Sequence, residues 1–116
     1  MKKGPAVAAG PLLPVLEEDK VTNFYVTYTM PDKASRDGYL REAQEQGIPD
    51  KSREEEGCIR YEYFFPVDDE NKLFLWEQWE SREHQKAHCQ TEHFAELGKL
   101  KEKYNAETEI LIEDQN

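Results

Sequence analysis

The sequence is poor in cysteine and contains no long hydrophobic run. Its two cysteines, Cys58 and Cys89, cannot build the disulfide framework that staples a small secreted protein, and no CxxC or Cys/His zinc spacing is present. No apolar stretch approaches the roughly 20 residues that a membrane-spanning helix needs. We therefore expect free thiols in a cytoplasmic protein that has no membrane partner.

The start of the chain, two lysines followed by an apolar part, resembles an export signal only weakly. The apolar part of this leader, residues 6–16, is interrupted by prolines, and no small-residue cleavage site follows it. We interpret residues 1–19 as a flexible arm or a remnant of cloning. Residues 20–116 are then a single domain.

Positive charge is also scarce. The chain has 15 Lys and Arg against 25 Asp and Glu, which gives a formal net charge of −10. Proteins that bind nucleic acid or anionic membranes present positive charge to the phosphates, so the composition argues against both partners. Residues 81–104 hold all three histidines and are the only segment with a positive balance, which is +1.

Aromatic residues, in contrast, make up 11% of the chain, which is far from a disordered composition. Period-two alternation predicts four strands, over residues 21–30, 58–66, 73–80 and 108–113. Helical patterns predict one helix to about Gln46, closed by Gly47, and a second region over residues 82–104 that breaks near Gln90-Thr91. Residues 48–50 are predicted to form a loop. The order β-α-β-β-α-β is that of a ferredoxin-like α+β fold.

The middle strands carry large apolar side chains on both faces. In the strand 58–66, alternation places Cys58, Arg60, Glu62 and Phe64 opposite Ile59, Tyr61, Tyr63 and Phe65. One layer of helices covers only one face of a sheet, and soluble monomers rarely leave so large an apolar patch bare. We therefore predict a homodimer whose two sheets pack face to face.

Glu77 is a candidate catalytic residue. It lies between Leu75 and Trp79 on a strand face that is otherwise apolar. Burial of a carboxylate is costly, and it raises the pKa toward the range of a general base. The alternative is a structural ion pair with Arg60 or Arg82, or a partly solvated strand end.

The three histidines, His84, His88 and His93, fall within ten positions. A metal site needs a third ligand and an open position, and the HExxH spacing is absent. We therefore predict no metal and no cofactor. In a pocket, the neutral imidazoles of His88 and His93 can act as acid, base or hydrogen-bond donor. The alternative is a helix-capping or core histidine.

The second and third predicted strands hold more aromatic residues than the core of a small sheet needs. Aromatic walls with a few polar groups suit a planar organic ligand. Packing across the dimer interface is the alternative explanation for part of the set. The residues are Tyr61, Tyr63, Phe64, Phe65, Phe74, Trp76 and Trp79.

Three segments in order resemble the antibiotic biosynthesis monooxygenase family: residues 55–61 (EEGCIRY), 75–79 (LWEQW) and 87–94 (AHCQTEHF). The resemblance covers roughly residues 20–114, nearly the whole domain. It implies a dimeric α+β barrel with a pocket between the helices and the sheet. Family members oxygenate quinols and polycyclic phenols without a cofactor, and a related branch isomerises a phosphorylated sugar derivative that serves as an autoinducer.

The resemblance also implies site residues. The catalytic candidates are Glu77, His88 and His93, and the candidate substrate-binding residues are Asn23, Tyr61, Trp79, Thr91 and Phe94. The haem-degrading branch of the superfamily is a poor match, because it has a Trp near the position of His88 and an iron-binding His near that of Gly98.

Three functions are therefore considered. The first is a monooxygenase in which Glu77 or His88 removes a phenolic proton, so that the electron-rich substrate reduces dioxygen directly. The second is an isomerase that moves a proton within a small phosphorylated carbonyl compound. The third is a dimer that binds small aromatic molecules without turnover.

Overall fold

The computed structural model describes residues 20–115, so the predicted arm, residues 1–19, lies outside the described residues. One antiparallel sheet has the strand order β2-β3-β1-β4, with the helices packed on one face. This arrangement confirms the predicted ferredoxin-like α+β fold. The elements are β1 (Thr22–Thr29), α1 (Lys33–Glu45), α2 (Ile48–Arg53), β2 (Cys58–Phe64), β3 (Lys72–Trp79), α3 (Arg82–His88), α4 (Glu92–Lys103) and β4 (Glu107–Asp114).

The loop prediction for residues 48–50 is wrong, because the short helix α2 begins there. Gly47 has a left-handed backbone, with φ at 72°, which ends α1 and turns the chain. Pro49 then occupies the first turn of α2, where a missing N–H costs no hydrogen bond. The proline therefore starts a helix at this position.

The predicted alternation of β2 is also wrong at its beginning. A register shift between Cys58 and Arg60 places Cys58 opposite Trp79, on the same sheet face as Tyr61. The extra residue, Ile59, is 49% exposed. A β-bulge inserts one residue and reverses the alternation before it, which simple period-two counting does not detect.

The break between α3 and α4 falls where the sequence predicts it. Helix α3 ends at His88, and the Thr91 hydroxyl caps α4 by accepting a hydrogen bond from the Phe94 backbone N–H at 3.2 Å. Ser81 caps α3 in the same way, through the His84 backbone N–H. The two caps hold His88 and His93 on either side of one tight turn.

The hydrophobic core lies between the sheet and the helices. It contains inward-facing residues of β1 and β3 and the buried sides of α1 and α4. The other sheet face carries Tyr25, Phe74 and Trp76, which are half-buried, and Leu111, which is 72% exposed. Among residues 20–115, no helix has both the length and the apolar character needed to cross a membrane.

Candidate functional site

Glu77 lies on the inward face of β3, where alternation places it between the buried Leu75 and Trp79. Only 7% of the residue is exposed, and its Oε1 accepts a hydrogen bond from Trp79 Nε1 at 3.0 Å. Burial raises the pKa of Glu77, while the Trp79 hydrogen bond and the nearby His88 partly oppose that rise. Glu77 is therefore a carboxyl group that keeps its proton to a higher pH than usual.

The two arginines considered as ion-pair partners of Glu77 bind other carboxylates. Arg60 pairs with Glu62 on the opposite face of the sheet, and Arg82 pairs with Asp114 at 2.7 Å. Burial of Glu77 is thus compensated mainly by the hydrogen bond from Trp79.

Glu55 joins two of the histidines. Its Oε2 lies 2.6 Å from His88 Nδ1 and 2.6 Å from His93 Nε2. The side chains of His88, His93 and Glu55 are 1%, 13% and 15% exposed, so the three form a nearly enclosed cluster. Because a carboxylate can only accept a hydrogen bond, each of these two ring nitrogens carries a proton and donates a hydrogen bond to Glu55.

The other ring nitrogen of His88 is unusual. Nε2 is buried and has no hydrogen-bond partner among the described residues. With the proton on Nδ1, Nε2 carries the lone pair and is an acceptor. The imidazole is packed among aromatic rings, with centroids 5.0 Å from Trp79, 5.2 Å from Phe94 and 5.7 Å from Tyr61.

A group of tyrosines borders Glu77. The hydroxyls of Tyr39, Tyr61 and Tyr63 are buried and have no partner of good geometry in the described part of the chain. Burial raises the pKa of each of them, and the Glu77 charge adds to that effect. They are neutral phenols that can donate to a bound oxygen atom, and unsatisfied buried groups are uncommon outside functional sites.

One cation lies at the border of this site. The Lys101 ammonium on α4 is 5.8 Å from the ring centre of Tyr28 and 5.9 Å from that of Phe94. Its charge lowers the pKa of Glu77, although by less than burial raises it. A surface cleft of about 310 Å³ at β2 is lined by Arg53, Cys58, Ile59, Arg60, Tyr61 and Glu62.

The structure brings most of the predicted site residues together. Glu77, His88, His93, Tyr61, Trp79 and Phe94 surround one region between the sheet and the α3–α4 turn. The Thr91 hydroxyl is engaged in the turn itself, where it also donates to the His88 carbonyl at 2.7 Å. His84 is separate, because its Nδ1 lies 2.7 Å from the Ser81 hydroxyl.

Asn23 lies on the opposite face of the sheet. Its side-chain carbonyl accepts hydrogen bonds from Trp76 Nε1 and Gln78 Nε2, and its amide donates to Glu113. The structure therefore does not place Asn23 with the other candidates, and its role in substrate binding stays a prediction.

Glu55 is the residue that sequence reasoning missed as a site residue. It belongs to the first of the three matching segments, but no local pattern pairs it with histidines 33 and 38 positions away. The charged run around it favours a solvated surface, whereas the turn after α2 directs this one carboxylate inward.

Comparisons with known proteins agree with the fold. A crystal structure from Bacteroides thetaiotaomicron, described as a conserved protein of unknown function and possible oxidoreductase, is 24% identical with a TM-score of 0.74. The match covers 84% of this chain and 99% of the other. A structure from Caulobacter crescentus, named as a candidate antibiotic biosynthesis monooxygenase, is 17% identical with a TM-score of 0.74, covering 86% and 93%. At these identities the likeness concerns the fold alone.

The sequence comparisons concern the family. No curated protein matches the chain at a significant level. The family model described as antibiotic biosynthesis monooxygenase matches residues 25–99, which include Glu55, Glu77, His88 and His93. That match spans well over half of the sequence, so the chain belongs to the antibiotic biosynthesis monooxygenase family.

Proposed function

We propose that the protein is a monooxygenase that oxidises quinols or other electron-rich phenols with dioxygen and without a metal or flavin. The observation that supports this most is the state of His88, whose Nδ1 is held by Glu55 while Nε2 is buried and unpartnered beside Glu77. A neutral imidazole with a bare nitrogen in an aromatic environment is a general base for a phenolic proton.

Glu55 is the positioning residue for this base. Its hydrogen bond to Nδ1 fixes the tautomer of His88, and its negative charge stabilises the imidazolium that forms when Nε2 takes a proton. His93 donates to the same carboxylate oxygen and so holds Glu55 in place. The three side chains form a hydrogen-bonded chain that runs from His93 through Glu55 to His88, the proposed base.

The reaction balances without a further reductant. His88 removes the phenolic proton, and the phenolate passes one electron to dioxygen to give a ring radical and superoxide. These combine as a C–O bond at the ring carbon beside the phenolate carbon. The peroxide takes one proton from the His88 imidazolium and one from Glu77. The Glu77 carboxylate then accepts the carbon-bound hydrogen as a proton, so that the O–O bond breaks to give a new carbonyl and water and both residues return to their starting states. One oxygen atom enters the product, and the other leaves in water.

Glu77 supplies a proton to the peroxide that forms when dioxygen adds to the ring. Burial raises its pKa and so favours the protonated carboxyl, and Trp79 holds one of its oxygens. Protonation of the peroxide by Glu77 and by the imidazolium makes the O–O bond easier to break. Lys101 lies close enough to the aromatic cluster to favour the anionic intermediates.

The aromatic surroundings favour a planar substrate. Tyr61, Trp79 and Phe94 pack around the His88 ring, and the buried tyrosine hydroxyls can donate to the oxygens of a quinol.

The open sheet face supports a homodimer as the working form. Tyr25 and Phe74 stack there with ring centres 6.3 Å apart, and Leu111 is 72% exposed beside them. A second copy that covers this face would give the dimeric α+β barrel of the family. The two free cysteines are consistent with the cytoplasmic location that we also propose.

The test is oxygen consumption with 1,4-naphthoquinol as the probe, with its spontaneous oxidation subtracted. We expect uptake to fall by on the order of 100-fold in His88→Ala, because a general base contributes at least that much. The matched control is His84→Ala, which removes an imidazole outside the cluster and keeps wild-type uptake. Wild-type uptake in His88→Ala would reject the base.

An anaerobic arm separates the other two functions. Equal turnover of a carbonyl substrate without oxygen would identify an isomerase. Binding of naphthoquinol without turnover under any redox condition would identify the binding module. The proposed monooxygenase requires oxygen for each turnover.

A further inference from the structure

The fold supplies the third metal ligand that the sequence lacks. Two histidines alone, without the HExxH spacing, do not make a metal site. Glu55 now stands between them, and the donor atoms Glu55 Oε2, His88 Nδ1 and His93 Nε2 all lie within 4.8 Å of one another. The three donors are also nearly enclosed, because the side chains of His88, His93 and Glu55 are 1%, 13% and 15% exposed.

The donor set selects the kind of ion. Two imidazole nitrogens and one carboxylate oxygen suit divalent first-row transition metals, whereas Mg²⁺ and Ca²⁺ prefer sites made of oxygen alone. Three protein ligands also leave a fourth position open. The donor set therefore fits an added Zn²⁺ or Co²⁺ ion.

The cluster needs only a small rearrangement to receive the ion. Around a tetrahedral Zn²⁺, donor atoms at about 2.0–2.1 Å from the metal lie roughly 3.3 Å apart. The two contacts of Glu55, each 2.6 Å, must lengthen by about 0.7 Å to reach that spacing, and the separation of His88 Nδ1 and His93 Nε2, which is within 4.8 Å, must reach the same value. Glu55 and His93 are 15% and 13% exposed at the border of the site, and rotation of their side chains supplies this movement.

Resting on the proposed function, we infer that Glu55, His88 and His93 bind one divalent transition-metal ion, and that the bound ion switches off the His88 base. A metal on Nδ1 takes the lone pair at that atom, so the imidazole proton must sit on Nε2. His93 shifts its proton from Nε2 to Nδ1 in the same way. Each imidazole stays neutral and no proton is released, but Nε2 of His88 changes from an acceptor to a donor.

Metal binding is tested first on the purified, metal-free protein. Calorimetric titration with Zn²⁺ is expected to show one site per chain, and Co²⁺ is expected to give the visible absorption of a four-coordinate ion. In Glu55→Gln the affinity should fall by on the order of 100-fold, because a charged ligand is lost. The matched control Glu54→Gln removes an exposed carboxylate next in sequence and keeps wild-type affinity. Absence of a stoichiometric site, or unchanged affinity in Glu55→Gln, would overturn the inference.

The switch has its own readout, independent of turnover. With ¹⁵N-labelled histidine, NMR shifts are expected to show His88 Nε2 unprotonated in the metal-free protein and protonated after one equivalent of Zn²⁺. Oxygen uptake should then drop at least tenfold and return when EDTA is added. An unprotonated Nε2 in the zinc form, or uptake that rises with Zn²⁺, refutes the switch. If metal-free protein oxidises no quinol, the proposed function fails while the NMR and calorimetric results still decide the metal site.

Discussion

At the scale of single residues, the site depends on which polar groups the interior leaves without a partner. Glu77 is predictable from the sequence, because alternation alone places a carboxylate between Leu75 and Trp79 on an apolar strand face. His88 and His93 are predictable as a pair close to a helix break. Glu55 is not, because its inward direction depends on the turn after α2 and on contacts with residues more than 30 positions away.

The pKa of Glu77 predicts how stability depends on pH. Since burial raises this pKa in the folded state, the folded protein binds more protons than the unfolded chain between the two pKa values. Stability from this group is full below the unfolded value, near 4.5, and is lost as pH rises through the folded pKa. Glu77→Gln can still accept a hydrogen bond from Trp79. We expect this variant to be more stable than wild type at pH values above the folded pKa of Glu77, and this difference in stability should disappear at lower pH. Urea unfolding across pH measures this, with the exposed Glu80→Gln as control; a constant difference across pH would contradict it.

The Cys58 thiol gives a second prediction at this scale. Burial and the neighbouring carboxylates of Glu55 and Glu77 raise the pKa of Cys58 to about 11. The thiolate fraction is then about 0.001 at pH 8, so alkylation by iodoacetamide should be slow and rise about tenfold per pH unit. Mass spectrometry of the Cys58 peptide measures the rate, and the urea-unfolded chain is the control. A rate that levels off below pH 9.5 would be inconsistent with this environment.

At the scale of elements, the turn between α3 and α4 determines the site. The sequence predicts this break and all four strands, because these features depend on local chemistry. It misses α2, where Pro49 is compatible with a helix start as well as with a loop. It also misses the bulge at Cys58, because a bulge depends on how β2 pairs with β3 and leaves no local signal.

The two matched caps test the link between this turn and catalysis. Thr91→Ala and Ser81→Ala each remove a side chain that accepts from a helix N–H, and each should destabilise the protein by about 1 kcal/mol. Only Thr91→Ala also removes the hydroxyl that donates to the His88 carbonyl, which then keeps only the Thr91 backbone N–H, and this should loosen His93 against Glu55. We therefore expect about tenfold lower kcat/KM for quinol oxidation in Thr91→Ala alone. Equal turnover in the two variants would show that the α3–α4 turn does not position the cluster of Glu55, His88 and His93.

At the scale of the whole molecule, the net charge and the sheet face set how the protein associates. The formal charge of −10 keeps the chain away from other polyanions. The apolar side chains on the open face, in contrast, are predictable from alternation in β1 and β3, and the sheet places them together. The relative orientation of the two copies does not follow from one chain, because the angle at which they dock depends on how the two surfaces fit together.

The dimer prediction follows from this face. We expect sedimentation equilibrium to give a dimer at micromolar concentration. Phe74→Glu, which places a charge in the middle of the face, should weaken the dimer by on the order of 100-fold or more, because an unpaired charge must be buried. Val67→Glu is the control, since Val67 is 96% exposed in the β2–β3 connection. A monomeric wild-type protein, or a Phe74→Glu variant that dimerises as wild type does, would contradict the prediction.

In the proposed reaction, His88 starts an oxygenation in which one atom of dioxygen enters the substrate. The most direct measurement is turnover of 1,4-naphthoquinol under ¹⁸O₂, with rapid quenching and mass analysis of product and water. We expect 2-hydroxy-1,4-naphthoquinone with one ¹⁸O atom, the second ¹⁸O in water, and loss of both signals in His88→Ala. Unlabelled naphthoquinone with hydrogen peroxide, or labelled product formed equally well by His88→Ala, would contradict it.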